Sequence, residues 1–112
     1  MENAFAIAET TGDGCTVVSV VGELDVATAP DLREHLERAI DRDGLVVADL
    51  LGVTFIDSTA LGVLIGALKR SQSAGGGLRI AMAEPRILKI FEITGLTELF
   101  SIFPTLGEAS AQ

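Results

Sequence analysis

The residues of this chain best placed to do chemistry are Asp57-Ser58-Thr59, directly ahead of an apolar run with helical spacing. An aspartate or serine in that position has two readings. It can cap a helix, because its side-chain oxygen accepts from a first-turn N–H that has no partner inside the helix. A serine hydroxyl there can also accept a phosphoryl group, because it is open to a kinase and the free N–H groups tolerate a dianion. The residues alone leave both open. Hydrolytic chemistry at Ser58 lacks its parts: no Gly-x-Ser-x-Gly elbow surrounds it, and the single histidine, His35, has no identifiable acid partner. Cys15 has no second cysteine and is expected as a buried strand residue rather than a redox centre. No group of His, Cys or carboxylates has ligand spacing, so neither a metal nor a cofactor is expected.

The helix that Ser58 would open, read to Arg70, buries Leu61, Leu64, Ile65 and Leu68. Its opposite side carries Thr59, Gly62, Val63, Gly66 and Arg70, where a solvated face would ordinarily hold Glu, Lys or Gln. A glycine costs about 1 kcal/mol against alanine inside a helix, so Gly62 and Gly66 call for a reason. Either another element of the chain packs closely there, or a partner needs a bare backbone.

The elements that must position these residues follow from periodicity and turn chemistry. A strand over residues 4–10 and a β-branched strand, Cys15 to Val21, flank a turn at Gly12-Asp13-Gly14 and read as a hairpin. A loop, Gly22-Glu23-Leu24-Asp25, leads to a helix with Thr28 as N-cap, Pro30 in its first turn and Leu32, Leu36, Ala39 and Ile40 on one face. Gly44 ends it. Leu45 to Leu50 reads as a strand covered on both faces. After the Ser58 helix, Gly75-Gly76-Gly77 turns the chain into a strand from Leu78 to Met82. Pro85 starts a helix closed by Gly95, a short strand covers Leu99 to Ile102, and a weak helix follows Pro104. Strands alternating with helices imply an α/β fold with a partly parallel sheet.

A chain of 112 residues suits one domain. With 48% of residues apolar and 21% charged, disorder is excluded. No apolar run reaches the ~18 residues that span a bilayer, and Met1-Glu2-Asn3 lacks the basic start of a signal peptide. Sixteen acidic against eight basic residues give a net charge of −8, which repels nucleic acid and anionic membranes and attracts basic partners. The lone cysteine agrees with a reducing cytoplasm.

Three stretches in order resemble one family: Gly22-Glu23-Leu24-Asp25, then Val46-Val47-Ala48-Asp49-Leu50, then Phe55-Ile56-Asp57-Ser58-Thr59-Ala60-Leu61-Gly62-Val63-Leu64. Gly76-Gly77, Ile90-Phe91 and Thr94-Gly95-Leu96 continue the pattern. The chain resembles the bacterial anti-sigma-factor antagonists, which are single STAS domains, over nearly its whole length. The family usually reads Asp-Ser-Ser/Thr-Gly, and Ala60 stands at that glycine. The resemblance implies a STAS fold over residues 1–112: a mixed, mostly parallel sheet of about four to five strands with three to four helices. It implies no catalytic residues, and phosphorylation of Ser58 by an anti-sigma factor that is itself a serine kinase. Unphosphorylated antagonist binds the anti-sigma factor and frees the sigma factor, and a metal-dependent serine phosphatase resets it. Glu23, Asp25, Asp57, Ser58, Thr59, Gly62, Val63 and Gly66 would form the partner surface.

Two other readings compete. A response-regulator receiver, with Asp49 as phosphoacceptor, needs an acidic pair after its first strand and a lysine after its last parallel strand. The early loop offers only Asp13, and Glu84-Pro85-Arg86 follows Leu78 to Met82. The same STAS fold could instead serve as an accessory subunit of a lipid-transport ABC complex.

Overall fold

The computed structural model of the protein describes residues 5–12, 14–42 and 44–111. The N-terminal tripeptide, the start of the predicted first strand and Asp13 of the predicted turn lie outside them. Five strands form one sheet in the order β1-β2-β3-β4-β5. β1 (Ala6–Gly12) runs antiparallel to β2 (Cys15–Leu24), whereas β3 (Leu45–Ile56), β4 (Gly77–Ala81) and β5 (Ser101–Phe103) continue parallel to β2. The crossovers are α1 (Ala29–Arg42), α2 (Ser58–Ser73) and α3 (Pro85–Ile93), and α4 (Leu106–Ser110) closes the described chain. The expected α/β class, strand number and helix number are those observed.

Helices α1, α2 and α3 cover one face of the sheet. Leu32 and Leu36 of α1, Leu64 of α2 and Phe91 of α3 share one core with Val18, Val20, Val46, Ala48, Leu50 and Ile80. Apolar residues on the other face of the same strands meet α4, where Cys15, Val47 and Ala81 pack with Ala109. Cys15 is therefore a buried strand residue. Near-continuous apolar runs in β2 and β3 are explained by this double cover.

Two strands are longer than their sequence implies. β2 runs to Leu24 rather than Val21, and β3 to Ile56 rather than Leu50. Gly22 opens the predicted loop, yet it and Gly52 both sit where the β2–β3 register shifts, at bulges that keep the ladder going. A Cβ on Gly52 would stand 3.0 Å from Val21 Cγ2 and 3.2 Å from the Val20 carbonyl oxygen, so any other residue there would push the neighbouring strand aside by a few tenths of an ångström. A 3₁₀ turn, Leu96–Glu98, precedes β5 and delays that strand by two residues.

His35 does have an acid partner. Its Nδ1 lies 2.7 Å from Glu9 on β1, and the same carboxylate accepts from Arg38 at 3.2 Å and Arg42 at 3.0 Å. Burial pushes the Glu9 carboxyl up, but the hydrogen bonds of Arg42, His35 and Arg38, with the charge of His35, outweigh it and hold the group below its ordinary range. The contact joins residues 26 apart in sequence, which is why spacing did not reveal it. The contact ties the edge strand to α1.

Candidate functional site

The site is built at the C-terminal ends of β2 and β3. The Asp57 N–H donates to the Leu24 carbonyl at 3.1 Å, so the corner between β3 and α2 is stitched to the loop between β2 and α1. That bond brings Glu23, Asp25, Asp57 and Ser58 to one end of the sheet. Asp57 has extended backbone geometry, and its Oδ1 accepts from the Ala60 N–H at 3.0 Å. The N-cap is therefore Asp57. Ser58, the first residue of α2, is exposed, and its hydroxyl is engaged by no other described residue. Of the two jobs a polar residue can do at this helix start, the cap has gone to the neighbour.

Asp25 has a local job as well. Its Oδ1 accepts from the N–H groups of Ala27 at 3.0 Å and Thr28 at 3.1 Å, and its own N–H donates to Thr28 Oγ1 at 2.9 Å. The Thr28 hydroxyl reaches the Glu23 carbonyl at 2.9 Å. Thr28 thus braces the loop with its side chain at the position predicted for the cap of α1. Glu23 remains exposed at the end of β2. Val26, 70% exposed beside these carboxylates, escaped sequence reading because one valine in a polar lead-in carries no periodic signal.

Along α2 the structure separates residues that the helical wheel grouped. Thr59, Gly62 and Gly66 are exposed, and a Cβ on either glycine would meet nothing within 4 Å. Close packing inside the described chain is therefore not why they are glycine. Val63 is a correction: it is 5% exposed and belongs to the core. The buried residues Ala60, Leu61, Val63, Leu64, Ala67, Leu68 and Ser71 span an arc of roughly 160° at 100° per residue, wider than one sheet-facing stripe. The extra width faces α1, which packs beside α2 and covers Val63. Ala60 is fully buried, so the alanine that stands at the family's usual glycine turns into the core.

Between α1 and α2 a groove of about 260 Å³ is lined by Arg33 and Glu37 on one side and by Gly62, Gly66 and Arg70 on the other. Arg70 bonds Asp41 bidentately, at 3.1 and 2.8 Å, and fixes the far end of that groove. The hydrogen bond from Arg70 holds the Asp41 carboxyl below its ordinary value. Among the described residues no cluster of His, Cys, Asp and Glu is arranged to hold a metal ion.

Residues 6–109 match the family model of the STAS domain. The chain belongs to the STAS-domain family. This STAS domain is 36% identical over 85 residues to the anti-sigma-B factor antagonist of Bacillus subtilis, covering 76% of this chain and 78% of the relative. To the anti-sigma-B factor antagonist of Staphylococcus aureus it is 40% identical over 98 residues, covering 86% of this chain and 90% of the relative. Its structure superposes with a TM-score of 0.86 on the crystal structure of an anti-sigma factor antagonist from Mycobacterium paratuberculosis, at 30% identity over 95% of this chain and 91% of that one. Among the described residues no helix is long and apolar enough to cross a membrane.

Proposed function

We propose that this STAS domain is an anti-sigma factor antagonist: a cytoplasmic binding protein, not an enzyme, whose switch is Ser58. Unphosphorylated, it docks on an anti-sigma factor with serine kinase activity and releases the sigma factor that this partner held. Phosphorylated on Ser58, it no longer docks, and a metal-dependent serine phosphatase restores it. The observation that carries the reading is the division of labour at α2, where Asp57 caps the helix and leaves the Ser58 hydroxyl exposed and unengaged.

The chemistry follows from that corner. The Ser58 oxygen attacks the γ-phosphorus of ATP, the bond to the β-phosphate oxygen breaks, ADP leaves and the hydroxyl proton is lost. Asp57 Oδ1 holds the Ala60 N–H as the helix cap, and we assign the base that takes the proton to the kinase. The phosphate adds about −1.5 to −2 charge at neutral pH. At the first turn of α2 the free N–H groups and the helix dipole stabilise it, so the fold need not change. The penalty falls on docking, where a dianion next to Asp57 must be desolvated against the partner. An unmatched buried charge costs about 3–5 kcal/mol, on the order of a hundred- to several thousand-fold in affinity. Thr59, Gly62 and Gly66 extend the same surface along α2, and the bare backbone of the two glycines lets a partner element approach closely.

Incubation with candidate anti-sigma factors and ATP, followed by peptide mapping, tests the assignment. Phosphate on Ser58 and on no neighbour is expected; modification of Thr59 or Asp49 in its place refutes it.

A further inference from the structure

The sheet face opposite α1, α2 and α3 is covered by α4 only around Cys15, Val47 and Ala81. Towards the C-terminal ends of β2 and β3 it carries an exposed apolar strip: Val21 is 51% exposed, Leu51 39% and Phe55 47%. The three share that face. Leu24 and Ile56 enter the core beneath the helices, so Glu23 and Phe55, paired across the two strands, turn the other way. Val21 lies two residues before Glu23 on the same side, and Leu51 follows the fully buried Leu50. β4 gives the strip no flank, because its pairing with β3 ends at Asp49 and Ala81 while β3 runs on to Ile56.

We propose that this strip is a second docking surface, taken by a segment of the anti-sigma factor that is apolar at its centre and basic at its rim. The inference rests on the proposed function and extends its contact from the helix to the sheet. Charge selects the occupant. Glu23 stands beside Phe55, and Asp49, bonded to Ser19 at 3.0 Å, closes the other end. The cation of that face, Arg79, is engaged away from the strip, donating to the Ala109 carbonyl and lying over the Phe103 ring. A second copy of this chain would set Glu23 against acidic groups and join two molecules of charge −8, so self-association is disfavoured. Phe55 lies three residues before Ser58, which makes the strip continuous with the corner that the phosphate would occupy.

The test uses the purified anti-sigma factor that phosphorylates Ser58, titrated calorimetrically against wild type, Phe55→Ala, Leu51→Ser and Ser58→Asp, with melting curves and sedimentation for each. Phe55→Ala and Leu51→Ser should each weaken binding about tenfold or more while melting within a few degrees of wild type, with Val21→Ser replacing any variant that fails to fold. Wild-type affinity should fall as salt rises, as a basic rim requires. If Ser58→Asp abolishes binding but Phe55→Ala binds like wild type, the strip is refuted and the Ser58 switch stands. If no anti-sigma factor binds the wild type, both fall together. If wild type sediments as a dimer that Phe55→Ala dissociates, the strip belongs to a second copy and the proposal is overturned.

Discussion

Glu9 on β1 and Ser58 on α2 both stand at the margin of the core, yet their surroundings differ in kind. The Glu9 carboxylate takes hydrogen bonds from His35, Arg38 and Arg42, and Arg38 also pairs with Glu34 one helical turn away. Nearby, Arg70 closes α1 onto α2 through Asp41. At the other corner Ser58 has no side-chain partner among the described residues, Glu23 projects from a strand end, and Gly62 and Gly66 leave their backbone bare. Polar groups at the first region are consumed in holding elements together. Those at the second are held in place by others, Asp57 and Thr28, and left open. A cluster satisfied from within is architecture; an exposed group positioned by satisfied neighbours is available to a partner.

The largest effect expected from that contrast is on binding. Ser58→Asp, or phosphorylation itself, should weaken docking on the anti-sigma factor by about a hundredfold or more, while the melting temperature moves only a few degrees. Loss of near-UV ellipticity on modification would break the contrast, because the open corner would then be part of the architecture. Leu64→Ala should do the reverse. Leu64 is fully buried under α2, and the cavity left behind should cost about 2–5 kcal/mol in denaturant melts. Remaining folded protein should still be phosphorylated on Ser58.

Glu9→Gln probes the satisfied cluster and should cost about 1 kcal/mol, since Arg38 and Arg42 are half exposed and solvent screens them. Its pH dependence has a definite sign. Glu9 titrates below its ordinary value of 4.5 when folded, so its contribution is complete above that pH and is lost as the pH falls through the lower folded value. Wild type should therefore lose its advantage over Glu9→Gln on acidification below about 4.5, which paired melts between pH 3 and 7 would read. The smallest effect runs upward. Gly62→Ala and Gly66→Ala place a Cβ in open space on a helix, so each should raise stability by about 0.5 kcal/mol. Each should also weaken docking, and normal affinity in both variants would remove Gly62 and Gly66 from the partner surface.

Much of this molecule was legible in the chain itself. Alternating β-branched and amphipathic segments set the order of strands and helices, Asp57-Ser58 marked the start of α2, and Leu61, Leu64 and Leu68 marked its core face, because these signals act over a few residues. Tertiary structure decided the rest. Val63 is buried because α1 lies beside α2, which no wheel of α2 alone contains. Glu9 meets His35 because a hairpin places β1 against α1. Gly22 and Gly52 lie within strands because neighbouring backbone supplies hydrogen bonds that local propensity cannot count. That Asp57 and not Ser58 caps α2 was equally hidden, since both residues suit the position and only the observed backbone directs one carboxylate to the Ala60 N–H. Local sequence governs what a segment prefers to be; which side chains are left free depends on what the packed elements have already satisfied.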